Sequence, residues 1–198
     1  MIKIKKCAIY GGTFDPIHNG HLHLIDELTR SGDFDKFIVI PSGIPSQKAA
    51  IASAADRLAM TKLAVSEMLG SNHLYEVDDC EIKRLGPSFA IDTATEISNR
   101  YPEYEIYWIV GSDTVSTLAK WHKFEELAKI VKFIIIERPG FKLNEYPAEL
   151  KFERREIEAK DISASEIRNE IQNGKDVSKL IPKSVLKYIF QNRLYGAA

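Results

Sequence analysis

Residues 7–21, CAIYGGTFDPIHNGH, contain the pattern that decides the fold. The apolar run 7–10 predicts a short buried strand, and the glycines that follow it let the backbone turn tightly. From Gly20 onward the apolar residues recur at helical spacing. A strand, a glycine turn and a helix start together favour an anion site, because free backbone N–H groups and the positive end of the helix dipole point at one place.

Two histidines lie at this predicted helix start. His18 and His21 are one helical turn apart, so both side chains can reach a phosphate held there. An imidazole donates to a phosphate oxygen and gains charge as a leaving group becomes negative. One alternative is that a histidine caps the helix or only packs. A second is a metal site with His23, which is disfavoured because His23 points away from His21 on a helix and no Cys or carboxylate has ligand spacing.

Length and composition allow one sizeable α/β domain over residues 1–198. The 27 Lys and Arg against 28 Asp and Glu leave a formal charge of -1, which argues against nucleic acid or an anionic membrane as a partner. No apolar run approaches the roughly 20 residues of a membrane span, and no signal-peptide core follows the basic start. Cys7 and Cys80 are isolated thiols, consistent with a cytoplasmic protein.

Short apolar runs alternate with helical patterns, which predicts a Rossmann-like, doubly wound parallel sheet with a small helical C-terminal extension. Strands are predicted over 7–10, 37–40, 74–77, 106–110 and 133–136, with a weaker one over 156–158. Helices are predicted over 20–30, 54–69, 89–100, 124–130, 165–172 and 183–191. In the second helix the predicted apolar stripe is Ala55, Leu58, Val65 and Leu69. The longest excursion is predicted over 138–146.

Five blocks of sequence carry a family resemblance. They are GxFDPxHxGH at 12–21, IPSGIPSQK at 40–48, GPSFAIDT at 86–93, GSD at 111–113 continuing to Trp121, and ISASEIR at 162–168. Together they resemble the HxGH nucleotidyltransferases and, within that superfamily, the bacterial nicotinate-nucleotide adenylyltransferases. Four residues alone recur by chance, whereas five blocks in family order form a specific pattern.

The resemblance implies an adenylyl transfer from ATP to nicotinate mononucleotide, which yields deamido-NAD and pyrophosphate for NAD biosynthesis. His18 and His21 are the implied catalytic pair. Mg²⁺ is expected to arrive on the ATP phosphates rather than in a protein cage. The implied ATP-binding residues are Gly12, Thr13, Phe14, Lys48, Gly111, Asp113, Ser165 and Arg168, and the implied acceptor-binding residues are Ala90, Thr93, Trp121 and His122.

Each of these roles has a plainer alternative. Phe14 could simply pack beside Pro16, and Asp113 could be the N-cap of the following helix while also meeting a ribose. Ser163 and Glu166 have capping-box spacing, so the last block could be only a helix start. Trp121 could pack between helices rather than stack on a pyridine ring.

The chain departs from the family pattern in the acceptor half. Gln47 stands where the family usually has His, Phe89-Ala90 where it more often has Tyr-Thr, and His122 where Tyr is common. Gln47 still donates a hydrogen bond but carries no charge. The open alternatives are the same chemistry on nicotinamide mononucleotide or phosphopantetheine, and a nucleotide-binding regulator without catalysis.

Overall fold

The main sheet of the computed structural model is parallel throughout and has the strand order β4-β2-β1-β6-β7-β8. The structure describes residues 4–46, 49–69, 74–137, 150, 152–157, 160 and 162–197. The strands are β1 (Lys5–Gly12), β2 (Lys36–Pro41), β3 (Ile44–Pro45), β4 (Tyr75–Val77), β5 (Pro87–Ser88), β6 (Tyr104–Gly111), β7 (Val131–Glu137) and β8 (Phe152–Glu156). Strands β3 and β5 form a separate parallel pair.

Helices cover both faces of the sheet. They are α1 (Asn19–Arg30), α2 (Ala54–Leu69), α3 (Cys80–Lys83), α4 (Ala90–Arg100), α5 (Phe124–Ile130), α6 (Ala164–Gln172) and α7 (Lys183–Gln191), with 3₁₀ helices at Val115–Lys120 and Leu194–Gly196. Side chains of α1, α2, α6 and α7 pack on one face and those of α4 and α5 on the other. Successive residues of the central strands alternate between these two cores, as the period of a strand requires.

The Rossmann-like prediction is confirmed. Counted along the chain, the six strands of the main sheet are arranged 3-2-1-4-5-6, which is the doubly wound order. The chain adds strands β2 and β4 on one side of β1 and strands β6, β7 and β8 on the other, so the direction of winding reverses between β1 and β6. Ligands of such sheets bind at this reversal, outside the carboxyl ends of the strands. The turn after β1 and the segment after β6 both begin there.

Most predicted elements are present with small shifts of their ends. The weak strand predicted over 156–158 is wrong in position, because β8 ends at Glu156. The short elements β3, β5 and α3 were not predicted, since two to four residues show no periodicity. The excursion predicted over 138–146 lies outside the described residues. Among the described helices, none combines the length and apolar character that crossing a bilayer requires.

The apolar stripe predicted for α2 is wrong in its first half. Ala55 is exposed and Leu58 is only half-buried, whereas Val65 is buried. The face that packs against the core is instead formed by Arg57, Met60, Thr61, Ala64 and Val65. These positions follow helical spacing closely. Because an arginine and a threonine are among them, the pattern of apolar residues does not predict this buried face.

Candidate active site

The predicted histidine pair lies at the start of α1, beside the carboxyl end of β1. His18 occupies the N-cap position of the helix with extended backbone angles. The rings of His18 and His21 are stacked, with centroids 3.6 Å apart and an angle of 25° between their planes. His21 is half-buried, whereas His18 is only 6% exposed.

Gly20 explains how the His18 ring folds back over the helix start. A Cβ atom at Gly20 would lie 3.1 Å from both Cε1 and Nδ1 of His18, closer than most real contacts. A larger residue at this position would require the His18 ring to shift by a few tenths of an ångström. Glycine leaves room for this ring to lie over the helix start.

A backbone hydrogen bond sets the tautomer of His21. The N–H of His18 donates to Nδ1 of His21 at 3.2 Å. Because Nδ1 accepts, the neutral ring carries its proton on Nε2, which makes Nε2 a hydrogen-bond donor. A donor nitrogen at a helix N-terminus is the arrangement that a phosphate oxygen requires.

The turn between β1 and α1 is compact and strained. Phe14 has φ 49°, in the left-handed region that non-glycine residues seldom adopt, and is 2% exposed. Its ring packs edge-on against Tyr10 and His21. The Phe14 side chain therefore packs in the core of this turn with these rings as partners, and its packing beside Pro16 stays an untested alternative. Such strain persists only where the surroundings over-determine it, and it is common at ligand-binding loops.

Asp15 is a buried junction in this turn. Its carboxylate accepts hydrogen bonds from the N–H groups of Ile51 and Ala52, at 2.7 and 3.1 Å, and from the Tyr195 hydroxyl at 2.7 Å. It thereby joins the turn to the segment before α2 and to the C-terminal 3₁₀ helix. These partners lie 36 to 180 positions away in the chain and were not predicted from the sequence.

Arg57 fixes the backbone around the same turn. It is 1% exposed and donates to the carbonyls of Ala52, Thr13, Ser42 and Gly43, at 3.3, 2.8, 2.6 and 2.8 Å. Burial lowers the pKa of this guanidinium from its usual value. The fork of N–H groups ties the loop after β1 to the loop after β2. Sequence reasoning did not identify this residue.

The orientation of one N–H group follows from this contact. In a trans peptide the carbonyl of one residue and the N–H of the next point in opposite directions. The Thr13 carbonyl points at Arg57, so the N–H of Phe14 points away from it. The predicted use of the Thr13 and Phe14 backbone as phosphate donors is consistent with this geometry and stays a prediction.

Arg168 brings the C-terminal block to the histidine loop. Its guanidinium donates to the backbone carbonyl of Asp15 at 2.6 Å and to Ser165 Oγ at 3.2 Å. Helix α6 has Ser163 at its N-cap position, as predicted, but the Ser163 side chain makes no capping hydrogen bond. The capping-box prediction is therefore wrong in its hydrogen bond. The structure does place Ser165 and Arg168 beside the turn that carries His18.

Gly111 is the last residue of β6 and Asp113 lies two residues beyond it, at the carboxyl end of this strand. Asp113 is exposed. The next helix is the 3₁₀ helix Val115–Lys120, whose N-cap position is occupied by Thr114. The alternative of Asp113 as an N-cap is therefore wrong, and the contact of Asp113 with a ribose at the carboxyl end of β6 stays a prediction.

The predicted acceptor-binding residues lie after β6 and at the start of α4. Trp121 is half-buried and packs against the core on the α4 side of the sheet, and its indole Nε1 is buried with no hydrogen-bond partner in the structure. The exposed His122 ring lies 4.4 Å from the Phe89 ring, tilted by 31°. Phe89 is the N-cap residue of α4 and Ala90 is the first residue of that helix. His122 therefore lies beside the first turn of α4.

Thr93 is placed differently from the other three acceptor residues. It is 0% exposed, and its hydroxyl donates to Glu81 Oε1 at 2.7 Å and accepts from Arg84 at 3.1 Å. Burial raises the pKa of the Glu81 carboxyl, while these hydroxyl and arginine partners oppose the rise. The Thr93 side chain is thus part of the core beneath α4, and any contribution to the acceptor site is indirect.

Two predicted features bear on charge at the site. Lys48 and Gln47 lie outside the described residues.

Across the part of the chain that the structure describes, no group of three or more His, Cys, Asp or Glu side chains could hold a metal ion. The donors at the helix start are imidazole nitrogens, whereas Mg²⁺ prefers oxygen ligands and keeps several waters. The histidines therefore suit phosphate oxygens better than Mg²⁺.

Comparison with known proteins gives consistent matches. Residues 9–170 match the model of a family described as cytidylyltransferase-like. The chain is 36% identical to the nicotinate-nucleotide adenylyltransferase of Bacillus subtilis, over 97% of this chain and 99% of that protein. It is also 36% identical, with the same coverage, to a Bacillus licheniformis protein named "Probable nicotinate-nucleotide adenylyltransferase".

A solved structure is similar over nearly the whole chain. It is the Plasmodium falciparum nicotinic acid mononucleotide adenylyltransferase complexed with NaAD. The two share 25% sequence identity with a TM-score of 0.81, and the match covers 98% of each chain. The fold described above is therefore similar to that of a protein whose solved structure contains NaAD.

Proposed function

The chain belongs to the cytidylyltransferase-like family and, within it, to the nicotinate-nucleotide adenylyltransferases, and from this premise we propose that it transfers the adenylyl group of ATP to nicotinate mononucleotide. The products are deamido-NAD and pyrophosphate. The observation that carries the proposal is the stacked pair His18 and His21 at the N-terminus of α1. This helix follows β1, next to the point where the direction of winding reverses between β1 and β6.

The reaction is a direct displacement at phosphorus. A phosphate oxygen of the mononucleotide forms a bond to the α-phosphorus of ATP, and the bond to the bridging oxygen of pyrophosphate breaks. Negative charge builds up on the leaving group, so catalysis depends on positioning and on charge stabilisation. Nε2 of His21 is a donor in the neutral ring, and we assign His18 and His21 to the phosphate oxygens of ATP.

The remaining ATP contacts surround this pair. The backbone of Gly12, Thr13 and Phe14 supplies N–H groups, and Ser165 with Arg168 supplies a hydroxyl and a fixed positive charge. Gly111 and Asp113 would meet the ribose, and Lys48 would add charge to the phosphates. Mg²⁺, when bound on the ATP phosphates, neutralises part of their charge and orients them.

The acceptor contacts lie on the segment after β6 and the start of α4. The half-buried Trp121 offers an aromatic face for the pyridine ring. His122 and Ala90 flank the first turn of α4, whose N–H groups lack intrahelical partners and attract an anion. An anionic nicotinate carboxylate fits this helix start better than a neutral amide.

The assignment of Arg168 to ATP gives one test. Replacing Arg168 with Ala removes the charge beside the histidine turn, so we expect KM for ATP to rise about tenfold or more. KM for nicotinate mononucleotide should stay within about twofold. Steady-state kinetics with each substrate varied in turn measures both values, and a rise confined to the mononucleotide would move Arg168 to the acceptor site.

Acceptor choice is tested by comparing two mononucleotides. With saturating ATP, we expect kcat/KM for nicotinate mononucleotide to exceed that for the nicotinamide form by at least about tenfold. The reason is that the amide N–H₂ finds donors rather than acceptors at the start of α4. Pyrophosphate release over a panel of acceptors measures the ratio. A ratio of one or less would reject nicotinate as the acceptor, and no release with any acceptor would reject adenylyl transfer.

A further inference from the structure

The C-terminal 3₁₀ helix reaches the candidate ATP site through one hydroxyl. Arg193, at the N-cap position of this helix, and Tyr195 and Gly196 within it all have positive φ, at 49°, 57° and 80°. Two of these are not glycine, so the turn is strained and must be held by its contacts. The conformation directs the Tyr195 hydroxyl inward, to Oδ1 of Asp15 at 2.7 Å.

The same phenol is a dependable donor. Burial and the hydrogen bond to the Asp15 carboxylate both raise the pKa of Tyr195 well above its usual value. It therefore remains protonated and continues to donate over the whole working range of pH. The Asp15 carboxylate is only 5% exposed. It also accepts hydrogen bonds from the N–H groups of Ile51 and Ala52, which precede α2.

Arg168 lies on the other side of Asp15. Its Nη1 donates to the Asp15 carbonyl at 2.6 Å and lies 3.9 Å from the Asp15 carboxylate. The direction of this guanidinium is therefore set by the Asp15 main chain, while the carboxylate of the same residue is turned toward Tyr195 and the loop before α2. Tyr195 and Arg168 are separated by this single residue.

We propose that Tyr195 is a positioning residue for ATP binding, because its hydrogen bond to Asp15 Oδ1 keeps the ion pair between Asp15 Oδ2 and Arg168 long, at 3.9 Å, and so leaves the positive charge of Arg168 directed at the phosphates. The proposal rests on the proposed role of Arg168 toward ATP. A buried carboxylate that loses a donor seeks another, and Arg168 already lies 3.9 Å from Asp15 Oδ2. A shorter Asp15–Arg168 ion pair would then compete with the phosphates of the nucleotide.

The test is Tyr195→Phe, which removes the hydroxyl and keeps the ring that fills the space. Tyr188→Phe is the matched control, because Tyr188 is also in the C-terminal extension and its hydroxyl donates to Asp56 Oδ1 at 3.0 Å. Calorimetry gives Kd for MgATP without acceptor, and kinetics gives KM for each substrate. Tyr195→Phe should raise Kd and KM for ATP about five- to tenfold, because ATP would lose part of the contribution of one charge-assisted hydrogen bond to Arg168. KM for the acceptor should stay within twofold.

Tyr188→Phe should leave both affinities within twofold, even if each variant lowers Tm by a few degrees. The proposal is overturned if the two variants behave alike, if Tyr195→Phe weakens both substrates equally, or if it lowers Tm with no change in Kd for ATP. If the wild-type protein binds MgATP but releases no pyrophosphate, the proposed function fails, and the comparison of Kd values still decides the role of Tyr195.

Discussion

His21→Asn is expected to lower kcat by about 10²–10³-fold while the protein stays folded. Asn Oδ1 stands the same number of bonds from Cα as Nδ1 of histidine, so it can still accept the N–H of His18, a bond of 3.2 Å in the structure. The substitution therefore keeps the contact at the helix start and removes the Nε2 donor. His18→Ala should lower kcat on the same scale and also cost some stability, because His18 is buried.

His23→Ala is the matched control on the same helix, since His23 lies two residues beyond the pair and outside the stack. It should retain kcat within about twofold. Steady-state rates of pyrophosphate release, with circular dichroism to confirm folding, measure all three variants. If folded His21→Asn turned over at a rate near that of the wild type, the assignment of His21 to the phosphate oxygens would be wrong.

Arg57→Ala is expected to reduce the free energy of unfolding by about 4 kcal/mol or more. The substitution deprives four carbonyls, two of them buried and two part-buried, of a charged donor. Each such bond contributes about 1.5–3 kcal/mol, partly recovered when water enters the cavity. Since domains are stable by about 5–15 kcal/mol, a large unfolded fraction should result. Urea denaturation followed by circular dichroism measures the loss.

Two further variants define the cause. Arg57→Lys keeps the charge but not the fork of N–H groups, so it should fall between Arg57→Ala and the wild type. Arg30→Ala removes an arginine whose side chain is 70% exposed and paired with Asp26 one helical turn away, and should cost at most about 0.5 kcal/mol. A loss below about 1 kcal/mol for Arg57→Ala would mean that the four carbonyls do not depend on this side chain.

Local patterns in the sequence predicted most of the fold. The apolar run before Gly11 and the helical spacing after Gly20 are short-range features, and they predicted β1 and α1 within a few residues. The alternation of such units predicted the parallel sheet, because a parallel crossover needs a helix. The placement of His18, His21, Ser165 and Arg168 around one turn agrees with the blocks that carried the family resemblance.

The sequence alone determined most of the strands and helices and predicted which residue types would supply the phosphate chemistry, because both depend on periodicity and on side chains near one another in the chain. Only the tertiary structure showed that Asp15 joins Tyr195 to Arg168, that Arg57 holds four carbonyls, and that Thr93 is buried. Each of these contacts joins separate elements of the fold. A polar side chain in the interior is satisfied by whichever donor or acceptor the packed fold brings to it, and no local pattern encodes that partner.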